Sequence, residues 1–182
     1  VGGMGNTMLK HTGSNIGKSI CEHDCGPLIK EILENSKKYN CKITIPQDAI
    51  VSTSLDGVGK EKNTNEIKEN EMILDIGSKT ILSIEKIINN SKTILWNGPA
   101  GYFENPNFQN GTKEILELIT QKTRNDKIFS VAGGGETVAA INKFKKFDSF
   151  TFVSTAGGAF LEFLEGKTLP GIKALNQNVR IK

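Results

Sequence analysis

The stretch from Phe129 to Ala140, FSVAGGGETVAA, constrains the fold of this chain more than any other. A short apolar run breaks off in three consecutive glycines, and a helix-forming pattern starts directly after them. Glycine admits dihedral angles that other residues avoid and leaves the main chain open to close approach. A helix opening at Glu136 would aim its unpaired N–H groups and the positive end of its dipole into that loop. Such an arrangement cradles phosphate. Glu136 adds a carboxylate able to hold a Mg2+ ion that bridges phosphate oxygens, and Thr137 adds a first-turn hydroxyl. The plainer alternative is a tight strand-to-helix turn in which Glu136 merely favours the dipole, although three glycines exceed what such a turn needs.

The rest of the chain alternates in the same manner. Leu28 to Asn40 spaces its aliphatic residues on one helical face, and Lys42 to Val51 reads as a short strand interrupted at Pro46. Thr53 to Asn70 is polar with little period, an exposed connection or ribbon. A helix from Lys79 to Asn90, capped by Thr80 or Ser78, leads to a strand over Thr93 to Trp96. A helix over Asn110 to Gln121, a strand over Lys127 to Ala132 and a helix over Glu136 to Phe144 follow. The order ends with a strand over Ser149 to Val153 and a helix over Gly157 to Leu164. Strands with apolar residues on both faces, alternating with helices, predict an α/β domain. We expect it to be doubly wound and Rossmann-like, a mostly parallel sheet with helices on both faces.

In such sheets ligands sit beyond the carboxyl ends of the strands, which singles out the loops after Trp96, Ala132 and Thr155. The turn Asn97-Gly98-Pro99 could offer an amide to a phosphate and an apolar face to a ribose, with Glu104 placed to accept ribose hydroxyls. On its own it is equally a surface turn with a charged flank. The small residues from Ser154 to Ala159 are explained as well by close helix-to-sheet packing as by a ligand. Gly13-Ser-Asn-Ile-Gly17-Lys18-Ser19 is not a Walker loop, because three residues rather than four separate its glycines and no apolar strand feeds it. It reads instead as a helix-entry loop with Lys18 exposed, and His11 and His23 as surface residues.

Composition excludes several classes. Basic residues are scattered among acidic ones and the formal net charge is only +3, so no nucleic-acid partner is expected. No apolar run is long enough to span a bilayer, so no membrane partner is expected either. Three cysteines, Cys21, Cys25 and Cys41, form an odd set suited to a reducing, cytoplasmic setting. Cys21-Glu-His23-Asp-Cys25 lacks a second ligand pair at zinc-site spacing.

With these residues in view, the chain resembles the C-terminal domain of phosphoglycerate kinases. The resemblance is carried, in family order, by Gly2-Gly3-Met4-Gly5-Asn6-Thr7, Gly17-Lys18-Ser19, Ile45-Pro46-Gln47-Asp48 and Leu74-Asp75-Ile76-Gly77-Ser78-Lys79-Thr80. It continues through Trp96-Asn97-Gly98-Pro99, Gly133 to Thr137, Ser154 to Ala159, and Leu161 to Gly171. The resemblance implies reversible phosphoryl transfer between 1,3-bisphosphoglycerate and ADP, giving 3-phosphoglycerate and ATP, with Mg2+, in glycolysis. It implies Gly2 and Gly3 lining an adenine pocket with Leu74 on the base, Asn97 and Pro99 facing ribose and phosphates, and Glu104 on the ribose hydroxyls. Gly133, Glu136 and Thr137 would complete the phosphate and metal site, Glu136 being the metal ligand. The N–H groups around Gly134 and Gly135 would be catalytic, stabilising the phosphoryl group in flight.

Glu136 stands where the family usually has Asp, Ala156 replaces a frequent glycine, Ser78 a frequent proline, and Phe160 a frequently small residue. The chain opens on Val1 and is expected to be a fragment. Residues 1–171 would be a nucleotide-binding domain without its first strands, and 172–182 a tail that packs on an N-terminal domain not present here. On that expectation the chain is a monomer that binds ATP or ADP weakly, meets the phosphoglycerates only alongside the other domain, and does not turn over alone. The alternatives are a non-catalytic nucleotide-binding or scaffold fragment, and a dinucleotide-dependent oxidoreductase. The second wants a Gly-x-Gly-x-x-Gly after a first strand, which is not seen.

Overall fold

The computed structural model describes residues 1–178. The chain forms two compact units. The first comprises Val1–Asn90 with Pro99–Leu118, and the second Ser91–Gly98 with the chain from Ile119 onward. No helix among the described residues is long and apolar enough to cross a membrane.

In the first unit, helices α1 (Gly2–His11) and α2 (Gly26–Lys38) precede strand β1 (Asp48–Ser52), followed by β2 (Lys60–Asn63) and β3 (Met72–Ile76). The strands form an antiparallel sheet in the order β2-β1-β3, with Ile50 opposite Asp75. Ala49, Val51 and Ile67 are buried, with Ile73 packed against them. Burying each of the larger aliphatic side chains contributes about 1.5–3 kcal/mol. The predicted strand over Lys42 to Val51 therefore begins only after Pro46, because proline lacks the N–H that a ladder needs. The polar connection over Thr53 to Asn70 supplies β2, an edge strand whose Lys60 and Glu61 face solvent.

Helix α3 (Ser78–Asn89) begins with Gly77 as its flanking residue, and the expected caps at Ser78 and Thr80 are replaced by one from another element. The Asp48 carboxylate accepts the N–H groups of Lys79 and Thr80, both at 2.8 Å, and the Thr80 hydroxyl at 2.6 Å. A side chain at Gly77 would overlap that carboxylate, so glycine is required there by space rather than by dihedral angle. The segment around Gly17 is not a helix entry. Gly17 bridges Met72 at the edge of β3, and the Lys18 N–H donates to the Glu71 carbonyl at 2.8 Å. Lys18, His11 and His23 are exposed.

The second unit holds the parallel sheet. Strands β4 (Thr93–Trp96), β5 (Phe129–Ala132) and β6 (Phe152–Val153) lie in sequence order, with Trp96 beside Ala132 and Ala132 beside Val153. Helix α4 (Asn110–Asp126), whose residues through Leu118 belong to the first unit, and α5 (Gly135–Lys143) lie in the connections between the parallel strands, and α6 (Gly158–Leu164) and α7 (Pro170–Asn178) follow. The predicted α/β class with a parallel, helix-flanked sheet is met here. Trp96 stacks on Phe150 with ring centroids 6.0 Å apart.

Helix α4 runs a turn beyond its predicted end at Gln121, with the Thr123 hydroxyl bonded to the Ile119 carbonyl at 2.7 Å and to Ser130 at 2.8 Å. β6 is shorter than predicted because Phe147–Ser149 forms a 3-10 turn, and Ser130 and Thr151 pair through their hydroxyls ahead of the ladder. The C-terminal tail is helical through Asn178, and the expectation for residues 179–182 lies outside the described residues.

Candidate functional site

In the second unit the β5 strand ends at Ala132 and passes through Gly133 and Gly134 into α5. The three glycines serve three different physical needs. Gly133 is buried, its N–H donates to the Trp96 carbonyl at 3.1 Å, and a side chain there would overlap the Phe160 ring. Gly134 takes φ +92°, a conformation that L side chains rarely adopt, and a Cβ there would lie 2.6 Å from the Asn97 amide oxygen. Gly135 opens the helix, is exposed, and has open space where a side chain would be.

The first-turn N–H groups of α5, on Gly135, Glu136 and Thr137, have no acceptor within the helix. The dipole concentrates positive potential at the same end. Glu136 is exposed in that turn. Thr137 is buried, and its hydroxyl accepts the Gly98 N–H at 2.7 Å, fixing the turn that follows β4 to the start of α5. The expected neighbourhood of Asn97 with Gly133 to Thr137 is thus present. Within it, however, the Gly133 N–H and one lone pair of Thr137 already have structural partners. Around Gly157, at φ +58°, the chain enters α6, and the Ser154 hydroxyl accepts the Ala156 N–H at 3.4 Å.

In the first unit, Gly2 starts α1 at φ +60°, and a Cβ there would lie 3.2 Å from the Pro99 carbonyl. Gly3 lies next to Ile20, whose side chain would stand 4.0 Å from a Cβ on Gly3 and is 83% exposed. Composition gave no reason to single out Ile20; a lone exposed aliphatic beside a glycine is visible only once α1 and the following loop are folded. Leu74 is buried in β3, and its carbonyl accepts the Tyr102 N–H at 2.7 Å. Tyr102 and Glu104 are exposed in the turn beyond Pro99. The Thr112 hydroxyl accepts the Ala100 N–H at 3.0 Å.

Behind that turn, Asp75 is 1% exposed. Its carboxylate accepts the N–H groups of Ile76 at 2.9 Å and Gly111 at 2.7 Å, with a further bond from the Asn110 main chain. Burial pushes its pKa up to about 6 against the pull of those three donors. Asp48 behaves in the opposite way. Burial raises it, but the Thr80 hydroxyl and the N–H groups of Lys79 and Thr80 outweigh that and hold it below 3.8.

A parallel sheet flanked by helices, with glycine turns leading from strand ends to helix starts, defines an α/β domain of the type that takes ligands at the carboxyl edge of its sheet. Comparison with known proteins narrows the class. The family model described as phosphoglycerate kinase matches residues 1–167, and the chain belongs to the phosphoglycerate kinase family. It is 43% identical over 178 residues to the phosphoglycerate kinase of Xanthobacter autotrophicus, covering 97% of this chain and 45% of that protein. To that of Blochmanniella floridana it is 45% identical over 183 residues, covering 100% of this chain and 44% of that protein. The solved phosphoglycerate kinase of Coxiella burnetii superposes with a TM-score of 0.89 at 41% identity, over 97% of this chain and 45% of that one. That of Pyrococcus horikoshii gives 0.70 at 28%, over 94% and 43%. The chain thus spans a little under half the length of the relatives it matches.

Proposed function

We propose that the chain carries the nucleotide-handling part of a reversible phosphoryl transfer between 1,3-bisphosphoglycerate and ADP, giving 3-phosphoglycerate and ATP. The observation that carries this reading is the start of α5: exposed Gly135 and Glu136, first-turn N–H groups without helical acceptors, and Gly134 held against Asn97. A transferring phosphoryl group spreads negative charge over its oxygens, so preorganised N–H groups lower its energy without any nucleophilic side chain. The N–H groups of Gly134 and Gly135 fill that role, while Asn97, Gly133 and Thr137 hold the loop and orient phosphates.

In the other unit, Gly2, Gly3 and Leu74, with Ile20, line a surface for the base. Pro99 and Glu104 meet the ribose, the carboxylate of Glu104 accepting its hydroxyls.

No group of three or more His, Cys, Asp or Glu side chains that could hold a metal converges among the described residues. A divalent ion would therefore rest on the exposed Glu136 carboxylate together with phosphate oxygens and water. That donor set suits Mg2+, which keeps several waters and is commonly bound through one or two carboxylates and a substrate phosphate. When bound, the ion neutralises phosphate charge. Glu136 carries one methylene more than Asp, so its carboxylate would hold the ion at the end of a longer side chain. The phosphoglycerates are assigned to the part of the relatives' length that this chain does not span, the setting is the cytoplasm, and the chain is a monomer.

Calorimetric titration of MgADP into the chain tests this reading. The expected result is saturable binding that weakens in both Glu104→Ala and Glu136→Ala. Absence of heat and of competition at millimolar MgADP overturns it.

A further inference from the structure

We propose that Asp75 is a positioning residue, retained to hold the turn from Pro99 to Glu104 in place for a ribose and base rather than to stabilise the fold; this rests on the nucleotide reading above. The geometry is specific. Asp75 sits one residue after Leu74, whose carbonyl takes the Tyr102 N–H, and its own carboxylate takes the N–H of Gly111 in the first turn of α4. A Cβ on Gly101 would lie 2.6 Å from a carboxylate oxygen of Asp75, and one on Gly111 would overlap that oxygen. The carboxylate is thus packed against Gly101 of the turn and hydrogen-bonded to the start of the helix that follows it, while the neighbouring Leu74 carbonyl ties the turn to the end of β3. With the Thr112 hydroxyl, which accepts the Ala100 N–H, these contacts hold the segment assigned to the ribose.

The surroundings are costly for a charge. Every hydrogen-bond donor to the carboxylate is a main-chain N–H, and no charged side chain is among the causes of its shifted titration. On β1, Asp48 spends its carboxylate on α3. Lys10 and His11 on α1, Tyr102 and Glu104 in the turn, and Lys113 and Glu114 at the start of α4 are all exposed. An isolated buried carboxylate is penalised, and replacing it by a neutral isostere relieves that penalty. The same replacement removes one acceptor and turns an N–H donor toward the N–H groups it must hold. Stability and positioning therefore pull in opposite directions at this residue.

Asp75→Asn separates the two. With adenosine as the probe, which carries no phosphate to titrate, we expect the dissociation constant at pH 7.5 to rise about three- to tenfold, the order of one lost hydrogen bond. The thermal midpoint at pH 7.5 should rise in the same variant. The unmutated chain, moved from pH 7.5 to 5, should reproduce both changes as Asp75 takes up a proton with its pKa of about 6. A purely structural role would move binding and stability together. If the unmutated chain binds adenosine but Asp75→Asn binds it equally well, or loses both affinity and stability, the positioning role is overturned. If the unmutated chain binds no adenosine at any pH, the nucleotide reading falls and this role falls with it.

Discussion

The hydroxyl of Thr137, a residue only 1% exposed, accepts the main-chain N–H of Gly98 at 2.7 Å. A first-turn threonine at a glycine loop is easily read as a ligand donor. Here its oxygen has a prior task, and only its proton is left to offer to a phosphate.

Thr137→Val and Thr137→Ser therefore part company. Valine leaves the Gly98 N–H without its partner and should cost about 1–3 kcal/mol in urea unfolding, while serine keeps the oxygen and should cost far less. If the two variants unfold alike, the bond does not hold the turn.

Phe160 packs over the α-carbon of Gly133. Gly133→Ala should destabilise by about 1–3 kcal/mol, the usual range for overpacking. Combined with Phe160→Ala, the two losses should sum to less than their separate values, since the ring that the methyl meets has gone. Strict additivity in a double-mutant cycle would show that the ring and the glycine are independent.

The acid limb of the stability curve should carry the signature of Asp48. Its folded pKa lies below 3.8, so it contributes stability that is present above 3.8 and lost as pH falls through the lower folded value. Asp48→Asn should flatten that limb and, through loss of the α3 cap, cost about 1–2 kcal/mol at neutral pH. Asp75 has the reverse sign. With its pKa raised from 3.8 to about 6, it makes stability decline as pH rises between those values, by up to about 3 kcal/mol. Urea midpoints measured from pH 3 to 8 on both variants check the two slopes.

Glu136 is exposed at the start of α5. If it holds a divalent ion on the nucleotide, adding Mg2+ should strengthen ADP binding in the unmutated chain, and Glu136→Gln should lose most of that gain while ADP alone binds as before. An equal Mg2+ effect in the variant would remove Glu136 from the metal site.

Local signals were legible where local physics decides. Thr93–Trp96 forms a strand as read, and α5 starts within one residue of its predicted position, because a glycine run and an apolar period mark both. What escaped was set at a distance. β2 is a polar run, KEKN, and becomes a strand only because β1 offers it a ladder. The Gly17 bridge to Met72 depends on an edge of β3 that no nearby residue announces. In the candidate site, Asn97 and Gly134 were legible from their turns. The commitment of Thr137 to Gly98 and the place of Asp75 behind the ribose turn were not, because each joins segments separated by more than thirty residues.

The Asp48 cap on α3 links two events in time. The acceptor for the opening N–H groups of that helix comes from a strand 31 residues earlier in the chain. A synthetic peptide covering Ser78 to Asn89 would fray at its first turn, and in the whole chain that turn would close only when β1 has docked. The helix is long enough to flicker into being alone, yet its front end waits for the sheet.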